Sequence, residues 1–355
     1  MKFGVVGTGA IGGFTGARLA LAGAEVTFLA RGESLAAIRK SGLKLVHADG
    51  REEIAKARAT DDVAEALDCD TLLLAMKAHQ LPALAPALAP HLRKHTTVIP
   101  MQNGIPFWYF HGLSGPHEGR IVESVDPGGV VARAIEPKQV IGCVVYTAAE
   151  RTSPGVIHHV LGERFPVGEL DGAISPRLQA LEAAFATAGL KAQPMADIRT
   201  ELWMKLWGNA AFNPISALGR ATLGGIAAHP EGRALAERGM RETQAVAAAF
   251  GVTFTMTLEK RIENAARVGA HKTSMLQDVE SGRPLELAAL VEAVLELGRI
   301  TGTPTPHLGA VFAEVQVADP VQPVLDTPVA ADDGGKLGVG GLGDGQRGDR
   351  VAGFA

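Results

Sequence analysis

The chain has 355 residues, enough for two domains with cores of their own, and its 46% hydrophobic and 20% charged residues are ordinary for a globular protein. A net charge of −4 gives no reason to expect nucleic acid as a partner, and the two cysteines, Cys69 and Cys143, lack the spacing of a disulfide framework or a zinc site, so no metal is expected. The apolar N-terminus is broken by Arg18 and Glu25 and rich in glycine, which argues against a signal peptide or membrane span and for a cytoplasmic location.

In chain order, residues 3–6 read as an apolar strand, followed by G-x-G-x-x-G at Gly7, Gly9 and Gly12 and by a helix from 10 to about 22. The first glycine permits a tight turn, the second lets backbone approach a pyrophosphate, and the third lets helix pack on strand. Gly7, Thr8, Gly9, Ala10, Ile11 and Gly12 are therefore expected to bind a dinucleotide, with the helix N-terminus turned to its phosphates. A second strand over 25–30 ends not in the carboxylate typical of an NAD site but in Ala30 and Arg31. Arginine at that corner suits a 2′-phosphate and points to NADP(H).

Beyond Arg31 a polar helix is expected over 33–41, with short strands at 43–47 and 53–55 and buried parallel strands at 71–76 and 96–101. Apolar runs alternating with helical segments give an α/β fold, a doubly wound parallel sheet. Ligands in that architecture bind beyond the carboxyl ends of the strands, where Lys77-Ala78-His79-Gln80 and Gln102-Asn103-Gly104 fall. Over 121–167 the sequence turns strand-like, with runs at 129–131, 140–145 and 156–159, and an antiparallel edge completing the first domain is expected.

Composition shifts near residue 170. A helix is expected over 174–188, helical periodicity dominates from 196 to about 317, and the chain divides into a dinucleotide-binding domain over 1–170 and an all-helical substrate domain over 171–318. A Gly-, Asp- and Pro-rich tail over 319–355 has little to bury and is expected to be disordered. Within the helical domain Lys205, Asn209 and Asn213 recur every fourth residue on a helix otherwise rich in Trp, Leu and Phe. Such a polar stripe lines a wet cleft or satisfies itself in the core. Further on, Ser274 and Asp278 share a helical face, Gly282 ends the helix and Glu286 opens the next.

These residues resemble the ketopantoate reductases (2-dehydropantoate 2-reductases) over nearly all of 1–317, through five motifs in the family's order. They are the Gly-rich loop with Arg31; Lys77-x-x-Gln80; Gln102-Asn103-Gly104; Lys205-x-x-x-Asn209-x-x-x-Asn213-Pro214; and Ser274-Met-Leu-Gln-Asp278 leading to Gly282-Arg283 and Glu286. The resemblance implies a Rossmann-type first domain and a second domain like that of 6-phosphogluconate dehydrogenase. It implies Lys205 and Glu286 as catalytic residues, Lys77, Gln80 and Asn103 on the cofactor, and Asn103, Asn209, Asn213 and Ser274 on the substrate. The activity implied is NADPH-dependent reduction of a small 2-oxo acid, 2-dehydropantoate, in pantothenate biosynthesis.

Hydride reaching a ketone carbon leaves charge on oxygen, which a positioned ammonium can stabilise and protonate. Lys205 is the expected donor, with Glu286 holding the ammonium in place. Two departures bear on the substrate: Ala288, where the family often has Asp, and His271, where it has Asn. A reductase of another 2-oxo acid and a non-catalytic NADP-sensing protein are the alternatives. A homodimer is a possible assembly, but nothing in the sequence fixes the oligomeric state.

Overall fold

The computed structural model describes residues 1–319. The expected tail over 319–355 lies outside the described residues except for Asp319. The strands, in chain order, are β1 (Lys2–Val6), β2 (Glu25–Leu29), β3 (Leu43–Val46), β4 (Glu52–Ala55), β5 (Arg58–Thr60), β6 (Thr71–Leu74), β7 (Thr97–Pro100), β8 (Ile141–Cys143), β9 (Tyr146–Ser153), β10 (Val156–Glu169) and β11 (Lys191–Pro194).

Five of them form an all-parallel sheet in the order β5-β2-β1-β6-β7. Strands β6 and β7 are buried along their whole length, the pattern of a parallel sheet covered on both faces. The chain builds outward from β1 to one side through β2 and β5, then returns to the other through β6 and β7. Crevices open where that direction reverses. The register sets Val6 beside Leu74 and Leu74 beside Pro100, so the loops leaving β1, β6 and β7 emerge side by side at one edge.

The remaining strands form a second sheet around the long strand β10. Parallel to it run β3 and β11, antiparallel to it β8 and β9, and β4 pairs with β3. This differs from the expected antiparallel edge on the first domain. The strand-like region belongs to a separate mixed sheet, joined to the first by a single parallel bridge between Val98 and Val140. Nor do residues 129–131 form a strand. Gly128 and Gly129 both take positive φ, and the chain then enters the short helix Val130–Ala134. Sheet structure also continues past residue 170: the helix Pro176–Thr187 leads into β11, which returns to β10.

From Ile198 to Ala318 every named element is a helix. The longest, Ile198–Gly219, begins at Asp197, whose carboxylate accepts from the amides of Arg199 and Thr200 at 3.1 and 3.0 Å. Its first turn is tied to the sheet-bearing part by Arg199, which donates to the carbonyl oxygens of Tyr109 and Leu170 at 2.8 Å each and to that of His111. Trp203 and Trp207 are fully buried, and each indole N–H has a partner: the Tyr109 hydroxyl at 2.8 Å and the Met240 carbonyl at 2.9 Å. Burying these rings while satisfying their donors fixes the rotation of the helix. The Lys205 face is thereby turned toward the loops leaving the first sheet. No helix among the described residues is long and apolar enough to cross a membrane.

Candidate active site

The Gly-rich loop has the shape its spacing predicts. Gly7 has φ +103, and a side chain there would lie 2.8 Å from the backbone of Ala75 and Met76; one at Gly12 would lie 2.1 Å from the Gly7 carbonyl. At Gly9, by contrast, a Cβ would meet nothing within 4 Å. The helix Ala10–Leu21 has no side-chain cap and no acidic residue in its first turn, so its N-terminal amides and dipole face open space. That cradle, with Thr8, Ala10 and Ile11 around it, fits a dinucleotide pyrophosphate.

At the end of β2, Arg31 lines a cavity of about 420 Å³ with Glu33, Ser34, Arg151, Thr152 and Ser153. Arg151 enters from β9 and donates to the Ser34 hydroxyl at 3.1 Å. Two guanidinium groups thus stand where the ribose end of a dinucleotide bound at this loop would lie. Arg151 escapes the sequence because it comes from a hairpin 120 residues after Arg31 with no motif around it.

Lys205, Asn103, Glu286 and Lys77 do come together. The Lys205 ammonium donates to Asn103 Oδ1 at 2.7 Å and to the Val145 carbonyl at 2.5 Å. It lies 5.8 Å from the centre of the Tyr146 ring. Burial pushes its pKa down to about 8 against the opposing pull of Glu286. Burial likewise drives the Cys143 thiol up to about 12, so the sulfur beside Lys205 stays neutral.

Glu286 does not take the expected position against Lys205. Its carboxylate is buried and pairs with Lys77 Nζ at 3.1 Å, and the same ammonium reaches Asp278 at 2.5 Å. Although burial opposes it, Glu286 and Asp278 together hold the Lys77 pKa above its usual value. Asp278 in turn accepts from Arg283 Nε at 2.9 Å. The physical reason for this pairing is access: Lys77 leaves the end of β6 directly opposite the two acids, whereas Lys205 is already satisfied by a carbonyl and an amide. Asn103 links the two lysines, since its Nδ2 lies 3.5 Å from Glu286 Oε2 while its Oδ1 accepts from Lys205.

A local irregularity makes this junction. The helix after Glu286 opens with a π-turn over Ala288–Glu292, which frees the Ala289 carbonyl to accept from the Ile105 amide at 2.8 Å. Gly104, at φ +84, packs so closely on Ala289 that a Cβ would lie 2.2 Å from its oxygen. Only glycine lets the Asn103 loop dock on the Glu286 segment.

The other expected residues are more dispersed. Asn209 lines the same cleft as Gln102, Asn103, Val145 and Lys205, and Asn213 is buried one turn further on. Ser274 is exposed at the first position of the helix Ser274–Glu280, whose cap is Thr273. Gln80 accepts from the Lys77 amide at 3.1 Å and closes the turn after β6. His271 gives its carbonyl to the Leu223 amide at 3.1 Å. Asp278 is visible in the sequence only as a motif position, and Val145 contributes a main-chain oxygen that no side-chain pattern announces.

Comparison with known proteins identifies the family. Two family models match: "Ketopantoate reductase PanE/ApbA" over residues 3–172 and its C-terminal counterpart over 197–319. The 2-dehydropantoate 2-reductase of Mesorhizobium japonicum is 49% identical over 317 residues, covering 89% of this chain and 97% of the relative. A solved structure from Ralstonia solanacearum MolK2, assigned to the ketopantoate reductases, is 40% identical with a TM-score of 0.84, covering 89% and 97% of the two chains. A PanE/ApbA family ketopantoate reductase from Ralstonia eutropha JMP134 is 28% identical with a TM-score of 0.77, over 90% of this chain and 98% of the other. With its Gly-rich cradle, its paired sheets and helical domain, and its cluster of Lys205, Asn103 and Glu286, the chain belongs to the ketopantoate reductase family and is an oxidoreductase acting on a CH–OH group.

Proposed function

We propose that the protein reduces 2-dehydropantoate to pantoate with NADPH in the cytoplasm, Lys205 donating the proton. The observation that carries this reading is the Lys205 ammonium, directed into the cleft by Asn103 and the Val145 carbonyl with a pKa near 8. NADPH supplies the hydride when bound. As charge develops on the ketone oxygen, Lys205 stabilises it by hydrogen bonding and then releases a proton to it. A lysine with an ordinary pKa would hold that proton too tightly for efficient transfer near neutral pH. Asn103 keeps the ammonium aimed and itself reaches Glu286, whose carboxylate, paired with Lys77, is offered to a substrate hydroxyl. Asn209 and Asn213 extend the polar face along which a hydroxylated acid lies. Ser274, exposed at its helix start, is a further substrate contact, a role supported by its place in the family motif. Arg31 and Arg151, lining one cavity, support NADPH over NADH, since guanidinium groups can make charge-assisted hydrogen bonds to a 2′-phosphate.

The test is NADPH oxidation against a panel of 2-oxo acids that vary in bulk at the carbon next to the ketone and in the terminal hydroxyl. The highest kcat/KM is expected for 2-dehydropantoate. A better unhydroxylated acid would move the activity to another member of the class, and no turnover with any of them would leave the cofactor-sensing alternative.

A further inference from the structure

Arg261 stands apart from Arg164 and Arg199, which are also buried or half-buried, in having no hydrogen-bond or ion-pair partner among the described residues. It lies on the helix Leu258–Val268, whose apolar face, Leu258, Ile262 and Ala265, packs with Trp207. The half-buried guanidinium reaches across the helix Ile198–Gly219 at Gly208, where an added Cβ would lie 2.4 Å from Nη2 and 3.0 Å from Cζ. Gly208 is one turn beyond Lys205 and adjacent to Asn209, so the guanidinium is on the flank of the polar face. A glycine in mid-helix is unfavourable on its own account, and here its missing side chain is what admits the guanidinium.

Neighbouring arginines are fully engaged: Arg164 pairs with Glu201 at 2.9 Å, and Arg199 donates to three carbonyls. Among the described residues Arg261 makes no hydrogen bond and no ion pair, and its electrostatic neighbour is the Tyr146 phenol. The same Tyr146 ring faces Lys205 Nζ. Burial presses the guanidinium below its ordinary pKa with no carboxylate to offset it. Retaining an unpaired, half-buried cation beside the polar face of the helix is costly unless an anion arrives there.

We propose that Arg261 is the anchor for the substrate carboxylate. A 2-oxo acid carries its carboxylate on the carbon next to the ketone, so one molecule can present its ketone oxygen to Lys205 and its carboxylate to the planar fork of Arg261. The inference rests on the 2-oxo acid reading above and assigns the residue that enforces it.

The test compares KM for 2-dehydropantoate and for its lactone, which keeps the ketone and has no free carboxylate, at saturating NADPH. Arg261→Met should raise KM for the acid by about 10- to 100-fold, the loss expected for a charge-assisted contact, and leave KM for the lactone unchanged. Arg261→Lys should recover part of the loss, since it keeps the charge but not the fork. Gly208→Ala, whose methyl group displaces the guanidinium without removing it, should raise KM for the acid while Tm holds or rises. The inference is overturned if Arg261→Met leaves KM for the acid within about twofold, or if acid and lactone suffer equally with a fall in Tm, the mark of a structural role. If the unmodified enzyme turns over other ketones but no 2-oxo acid, the reading beneath it fails as well.

Discussion

Lys77 and Glu286, 209 residues apart in the chain, meet at 3.1 Å across the junction between the parallel sheet and the helical domain. The same ammonium reaches Asp278 at 2.5 Å, and Asp278 also accepts from Arg283 at 2.9 Å, so Lys77 and Arg283 together balance two buried carboxylates. The Lys77 cation ties the loop after β6 to the helical domain, while Lys205 is held by Asn103 and the Val145 carbonyl.

Removing that cation should therefore cost stability before it costs chemistry. Lys77→Met leaves Glu286 with only the Asn103 amide and a long contact to the Ala78 amide; breaking a fully buried pair from one side costs about 3–5 kcal/mol, and the loss here is smaller because the Lys77 side chain is 32% exposed. A lowered Tm is expected, substantially recovered in Lys77→Met/Glu286→Gln, which removes the orphaned charge, while turnover remains impaired. A double variant no more stable than Lys77→Met would show that the two residues are not coupled.

Cofactor preference should depend on both arginines of the β2 cavity. Hydrogen bonds to charged groups contribute about 1.5–3 kcal/mol, so Arg31→Ala and Arg151→Ala should each weaken NADPH binding about tenfold or more and leave NADH binding little changed. Fluorescence titration of the reduced cofactors measures this directly. Equal affinity of the unmodified protein for NADPH and NADH would refute the 2′-phosphate assignment.

The lowered pKa of Lys205 gives a signed pH dependence. Below about 8 the group carries the proton it must deliver; above that value it is a neutral amine. Ketone reduction should therefore lose kcat as pH rises through about 8, and oxidation of the alcohol, which needs the unprotonated base, should gain kcat over the same interval. Profiles that move in the same direction for both reactions would contradict this.

Much of this was legible in the sequence where geometry is local. Glycine spacing maps directly onto the turn at Gly7, the open position at Gly9 and the close packing at Gly12, and four-residue spacing places Lys205 and Asn209 on one face. Long-range pairing was not legible. Lys77 and Glu286 both carry site motifs, yet nothing in a linear pattern says that Glu286 meets Lys77 rather than Lys205. The second sheet was hidden for the same reason: β3 and β11 pair with β10 across long stretches of chain, and the Lys191–Pro194 strand, KAQP, has no β-branched residue to mark it. The apolar run at 129–131 is too short to separate helix from strand, and the positive φ of Gly128 and Gly129 decides it for helix.

The proton donor is tested most directly by the single-turnover rate of NADPH oxidation with saturating 2-dehydropantoate, compared between the unmodified enzyme and Lys205→Ala. Loss of a positioned general acid lowers the rate by about 10²–10⁴, with NADPH affinity unchanged because the Gly-rich cradle is untouched. An alanine variant whose single-turnover rate stays within about threefold of the original, with both ligands saturating, would show that Lys205 does not deliver the proton.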